Sequence, residues 1–218
     1  MLRVGLTGGL ACGKSAIAKM MADRGAQVIE ADAIARDLMR PGQPVYEAVV
    51  KHFGREIVNQ HGEINRATLA KIVFGGSRVE ELNRLVHPEV IKRQEQWMDE
   101  VGRKSPTAIA VVEAALIVEA GVNRRFDKMI VVKCSEQQKV ERYTSRLANA
   151  AATLDFDELA ATAEARKRIG AQLSDDDKLK IADFVIDNSG SLAQTEQQID
   201  FVMKKLRVLA AEKISGEK

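Results

Sequence analysis

Gly8-Gly9-Leu10-Ala11-Cys12-Gly13-Lys14-Ser15 is a complete G-x-x-x-x-G-K-[ST] phosphate loop. It follows the apolar run Leu2–Leu6 and precedes a pattern in which Ile17, Met20, Met21 and Arg24 recur at helical spacing up to Gly25. A strand, a glycine-rich turn and a helix in that order give the motif its chemical meaning. Main-chain N–H groups of the turn wrap phosphates, and the helix points its positive end at them. Gly9, Ala11, Cys12, Gly13, Lys14, Ser15 and Ala16 are therefore the candidate nucleotide contacts. Lys14 reaches the outer phosphates, and the Ser15 hydroxyl is a ligand for Mg²⁺. Gly8 and Gly13 stand where a Cβ would hinder the turn. The expectation is a site for a nucleoside triphosphate.

Outward from the loop, five short apolar runs predict buried parallel strands: Leu2–Leu6, Ala26–Glu30, Ala108–Ala114, Met129–Cys134 and Ala182–Ile186. Helical patterns separate them, and Ile199, Val202, Met203, Leu206 and Leu209 form one late apolar stripe. Strand–helix alternation of this kind predicts an α/β fold with a doubly wound five-stranded parallel sheet. Residues 1–40, 107–134 and 179–218 would make its nucleotide-binding core, with fraying from about Ile214.

Residues 41–106 lack a strand pattern and predict a helical subdomain, with breaks at Gly54, Gly62, Gly75-Gly76 and Gly102. His87-Pro88 is expected at a helix start, where proline suits the first helical position. Residues 135–178 predict a helical lid. Ser135-Glu136-Gln137-Gln138 is a capping box, Arg142 and Arg146 share one helical face, and Arg166 and Arg168 follow an Ala-rich stretch.

Two acids choose the reaction. The second strand runs out through Glu30 to Asp32, and the third ends at Glu113. In a parallel sheet the carboxyl ends of all strands open onto the phosphate-loop crevice. Asp32 is the candidate base for a hydroxyl nucleophile, and Glu113 the candidate organiser of a metal or its waters. An acid at a strand end has a plainer alternative use, capping the next helix.

Bulk properties exclude several classes. The net charge is +2, from 33 basic and 31 acidic residues without a like-charge block, which argues against nucleic-acid and membrane-surface partners. No apolar stretch approaches the roughly 20 residues that span a bilayer. The start of the chain matches a strand rather than a signal peptide, so a reducing cytoplasm is the expected location. Cys12 and Cys134 lie far apart in sequence without metal spacing, as do His52, His61 and His87. Cys12 sits at a helix N-terminus, where thiol pKa values fall. A GTP-dependent switch would need a guanine-reading N-K-x-D, which the sequence lacks.

Together these features resemble the dephospho-coenzyme A kinase family over nearly the whole chain. Gly5-Leu6-Thr7-Gly8-Gly9 through Ser15 is similar to that family's start. Ala31-Asp32 with Ile34-Ala35-Arg36 matches its D-A-D-x-I-A-R element, followed by Pro41-Gly42. His87-Pro88 corresponds to its H-P pair, and Leu116 to Glu119 to the end of its P-L-L-x-E element. Arg168, Gln172 and Lys178 fit its R-I-x-x-Q…K pattern, and Asp187-Asn188-Ser189-Gly190 its D-N-S-G. Glu30, Ala115 and Lys139 depart from it, standing where an aspartate, a proline and a glutamine are usual, and the stretch from Arg146 to Arg168 is longer.

The resemblance implies ATP·Mg²⁺ as cofactor and dephospho-CoA as the small-molecule substrate, phosphorylated on its ribose 3′-hydroxyl. It places Asn188 and Gly190 near adenine and the acceptor hydroxyl at Asp32. Arg36 becomes a phosphate partner of the substrate, Glu119 a substrate contact and Arg142 a lid residue on the transferring phosphoryl group. His87 is either a residue that opens a helix or a contact for substrate pyrophosphate. A monomer or weak homo-oligomer is expected. The alternative is another kinase of the same fold with a different acceptor.

Overall fold

The computed structural model describes residues 1–76, 78–150 and 156–216. Among them the strands are β1 (Leu2–Gly8), β2 (Gln27–Glu30), β3 (Ile109–Glu113), β4 (Lys128–Lys133) and β5 (Phe184–Asp187). They form an all-parallel sheet in the order β2-β3-β1-β4-β5. In register, Leu6 pairs with Glu113 on one side of β1, and Gly8 pairs with Val132 on the other. The phosphate loop thus leaves the sheet between the carboxyl ends of β3 and β4.

Alternation along β1 decides what lies on each face. Leu2, Val4 and Leu6 join Ile109, Val111, Ile130 and Val132 against Ile17 and Met21 of α1 (Lys14–Asp23). Ile199, Val202, Met203 and Leu206 of α9 (Leu192–Gly216) complete that layer. Each such side chain, fully buried, contributes about 1.5–3 kcal/mol. Ala110, Val112, Met129 and Val131 face the other way and are buried too, as covered parallel sheets require. The edge strands β2 and β5 are only partly buried, unlike the three inner ones.

Between β4 and β5 lie α6 (Glu136–Ala150), α7 (Glu158–Gly170) and α8 (Asp175–Leu179), with α6 packed on α7. The Ser135 hydroxyl accepts from Gln138 N while Gln138 Oε1 accepts from Ser135 N, the reciprocal capping box. Residues 151–155 of the expected lid lie outside the described residues. The last strand begins at Phe184 instead of Ala182 because Ala182 N closes the turn after α8 on Leu179 O. α9 runs to Gly216, past the fraying expected from Ile214.

The chain divides into two compact units, Met1–Ile29 with Val101–Lys218, and Glu30–Glu100. The second unit therefore takes in α2 (Ala31–Leu38) together with α3 (Pro44–Phe53), α4 (Arg66–Gly75) and most of α5 (Val79–Lys104). Gly54 ends α3 with φ 91°, a left-handed conformation open to glycine, and Val58 and Ile64 make an isolated antiparallel bridge. Two expectations fail here. Pro88 lies inside α5 instead of opening a helix, and Gly102 falls in its last turn without breaking it. Burial of Val86 and Val90 on either side of Pro88, and of Met98 and Val101 further on, outweighs one missing N–H.

His87 consequently sits in mid-helix, partly buried, and burial pushes its imidazole below the usual histidine value. Protonation then favours the unfolded chain. The stability is full above the unfolded value of about 6.5 and is lost as pH falls toward the folded one. His87→Asn is expected to flatten the decline of unfolding free energy between about pH 7 and pH 5, followed by urea denaturation across that range. An unchanged slope would assign the decline to other groups.

Candidate active site

The loop between β1 and α1 turns on two residues in the left-handed region, Ala11 at φ 54° and Gly13 at φ 90°. Gly13 caps α1, and a Cβ there would run into the Asn188 amide nitrogen while holding an unfavourable φ. α1 carries no side-chain cap, so its first-turn amides present the partial positive charge of the helix end. Ser15 and Ala16 are exposed on that turn.

Side chains from the loop itself and from distant segments brace it. Lys14 Nζ donates to Gly8 O at 3.1 Å and to Gly9 O at 3.0 Å. Leu10 N donates to Gln172 Oε1 at 2.9 Å. Asn188 Nδ2 donates to Cys12 O at 2.8 Å, and Asn188 Oδ1 accepts from the Thr195 hydroxyl at 3.0 Å. Lys139, nearly buried on α6, pairs with Asp175 of α8 at 2.6 Å. Its ammonium stands against Gly9, where a Cβ would come within 2.9 Å of it. The Cys12 side chain is 0% exposed, so its contribution to a nucleotide site is by main chain.

Glu113, 7% exposed at the end of β3, accepts from the Ser15 hydroxyl at 3.4 Å. A hydroxyl and a carboxylate are hard oxygen donors. They suit a Mg²⁺ ion that takes its remaining ligands from water and phosphate. Among the described residues no three His, Cys, Asp or Glu side chains gather into a self-sufficient metal cage. The residues present therefore fit a metal brought with a polyphosphate.

The basic residues of α6 diverge. Arg142 Nη2 donates to Asn188 O at 2.9 Å, while Nη1 is buried without a partner among the described residues. Arg146 instead lies over the Tyr143 ring at 5.4 Å, with Arg168 of α7 over the same ring at 5.7 Å. The shared helical face thus splits into one arginine at the loop after β5 and a second paired with α7 through an aromatic ring. Gly190 lies in that same loop, where a Cβ would meet Gln194.

Asp32, Arg36 and His87 belong to the second unit. Asp32 is exposed in the first turn of α2, two residues beyond β2. Arg36 approaches Glu30 at 4.0 Å with both side chains exposed. Of the residues that shape the loop, Lys139 and Gln172 carry a sequence signal as a departure from and a match to a family pattern. Asp175 and Thr195 carry none; only the fold brings them in.

Glu119 has a structural partner. Lys178, 0% exposed, lies 2.8 Å from Glu119 Oε1 as an ion pair without hydrogen-bond alignment, and Leu173 N donates to the same oxygen at 3.2 Å. Removing one member would strand a buried charge. Glu119→Ala is expected to cost about 3 kcal/mol or more in urea denaturation, and the double variant Glu119→Leu/Lys178→Met appreciably less. Equal losses in both would show that packing, and not charge, dominates the pair.

A family model described as dephospho-CoA kinase matches residues 2–194. A dephospho-CoA kinase of Carboxydothermus hydrogenoformans is 37% identical over 203 residues, covering 93% of both chains. One of Bacillus licheniformis is 39% identical over 199 residues, covering 91% of this chain and 93% of its own. A Thermus thermophilus protein of solved structure superposes with a TM-score of 0.71 at 28% identity, covering 93% of this chain and 96% of the other. With the match running from β1 through the start of α9, this chain belongs to the dephospho-CoA kinase family.

Proposed function

We propose that this chain transfers the γ-phosphoryl group of ATP to the ribose 3′-hydroxyl of dephospho-CoA, the last step of coenzyme A biosynthesis. The observation that carries the reading is the β1–α1 loop. It turns at Ala11 and Gly13, leads into the uncapped first turn of α1, and is flanked by the Lys14 and Lys139 ammonium groups. Residues 41–106 serve the acceptor in this reading, and residues 135–178 close over the nucleotide. The reading takes the chain as a cytoplasmic monomer or weak homo-oligomer; among the described residues no helix is long and apolar enough to cross a membrane.

Each residue then has a part. Lys14 exchanges its contacts with the Gly8 and Gly9 carbonyls for the outer phosphates. Arg142 offers its unpartnered Nη1 to an acceptor oxygen, supported by its seat beside Asn188. Asn188 and Gly190 lie on the β5–α9 loop, the position proposed for adenine. Ser15 and Glu113 would hold Mg²⁺, which when bound neutralises phosphate charge. Asp32 takes the proton of the acceptor hydroxyl, supported by its exposure at the carboxyl end of β2, and Arg36 pairs with substrate phosphate.

Phosphoryl transfer passes through a loose transition state, so charge neutralisation and positioning should outweigh proton abstraction. Lys14→Ala is expected to lower turnover at least as much as Asp32→Asn, each on the order of 10²-fold or more in steady-state kinetics. Near-normal turnover of Asp32→Asn refutes the base assignment. A panel monitored by ADP release tests the acceptor itself. Faster turnover with a nucleoside monophosphate, shikimate or gluconate than with dephospho-CoA overturns the choice of substrate.

A further inference from the structure

The phosphate loop carries a second chemistry in its buried side. Cys12 and Cys134 are 122 residues apart, yet their sulfurs lie 3.4 Å apart and both side chains are buried. Sheet register explains the encounter. Gly8 at the end of β1 pairs with Val132 of β4, and both chains turn out of the sheet within the next few residues. Cys12 lies at the turn of the loop between Ala11 and Gly13, the two left-handed positions, and its carbonyl is held by Asn188. Cys134 is the residue immediately after β4.

We infer that Cys12 and Cys134 form a reversible disulfide when exposed to a peroxide, and that this modification withdraws the phosphate loop from nucleotide binding. The consequence for nucleotide rests on the ATP reading above, whereas the covalent bond does not. Closing the pair means bringing the sulfurs from 3.4 Å to about 2.05 Å. Movement of Cys12 is movement of the loop, because its neighbours have no regular secondary structure to absorb it.

The surroundings supply a nucleophile. The Cys134 thiol donates to the Cys12 sulfur, which lowers Cys12 to about 7 against the opposing effect of burial. The Lys139 and Lys14 ammonium groups assist, and Asp175 opposes. Cys134 is pushed up by the same contact and by burial. A sizeable share of Cys12 is thus thiolate at neutral pH. Burial restricts the oxidant to a small one, and hydrogen peroxide is of that size.

The steps balance. The Cys12 thiolate attacks one peroxide oxygen and the O–O bond breaks. Cys12 becomes a sulfenic acid, oxidised by two electrons, and the departing hydroxide takes up a proton as water. The Cys134 sulfur then attacks the Cys12 sulfur, displacing hydroxide, which leaves with the Cys134 proton as a second water. A dithiol reductant returns both thiols by exchange.

The test compares the full-length protein with its Cys134→Ser variant, before and after hydrogen peroxide. Readouts are a non-reducing peptide map, thiol titration and calorimetry with Mg·ATP. The expected result is a peptide linking Cys12 to Cys134 in the wild type, with ATP affinity lowered on the order of tenfold and restored by dithiothreitol. Cys134→Ser should bind ATP like the reduced wild type and show no peroxide-induced, dithiothreitol-reversible loss of comparable size. Two free thiols persisting after peroxide, a linked peptide with unchanged affinity, or the same reversible loss in Cys134→Ser overturns the proposal. Reduced wild type that takes up no Mg·ATP instead overturns the nucleotide reading and the gating claim with it, while the peptide map still decides the modification site.

Discussion

The glycine-rich loop at the end of buried β1 has to hold an irregular backbone open, and side chains from several segments of the first unit serve that constraint. Amides left to themselves find carbonyl partners, and the loop would fold in on itself. Two side chains from far along the chain and one from the loop itself prevent this. Gln172 accepts from Leu10 N across 162 residues, Asn188 holds the Cys12 carbonyl across 176, and Lys14 ties down the Gly8 and Gly9 carbonyls locally. With the Gly8, Gly9 and Cys12 carbonyls and the Leu10 amide all held, the loop is braced in one conformation before any anion arrives.

Charge is handled the same way. Lys178, Lys139 and Glu113 are buried or nearly so, and each has an opposite charge or a hydrogen-bond donor in reach. Desolvating such groups costs several kcal/mol per ion before pairing offsets it. The ion pairs join the α7–α8 region to the rest of the unit: Lys178 reaches Glu119 beyond β3, and Lys139 on α6 reaches Asp175 at the start of α8. Arg146 of α6 and Arg168 of α7 follow a different logic, stacking on Tyr143 where packing and charge act together.

Much of this architecture is legible from local pattern. The apolar runs locate the five strands to within about two residues, because buried parallel strands need short unbroken apolar stretches. The loop, its helix and the capping box at Ser135 depend on residues at most a few positions apart, and local chemistry governs them. Pro88 shows the limit, since a propensity argument puts a helix start where Val86, Val90 and Met98 bury a continuous helix face. Arg142 and Arg146 show another. Four-residue spacing aligns their backbones, but Asn188 and Tyr143 draw the side chains to different partners.

By itself the sequence determined a phosphate loop at a strand–helix junction, acidic residues at strand ends and a helical interval between the second and third strands. These are statements about neighbours along the chain, where spacing and side-chain type suffice. Only the tertiary structure decided which distant residues meet. It set Cys12 against Cys134, Lys139 and Asp175 against Gly9, and Lys178 beneath Glu119. Strand order and register settle those encounters, and both are set by the burial of the whole sheet, a quantity that no short stretch of sequence contains.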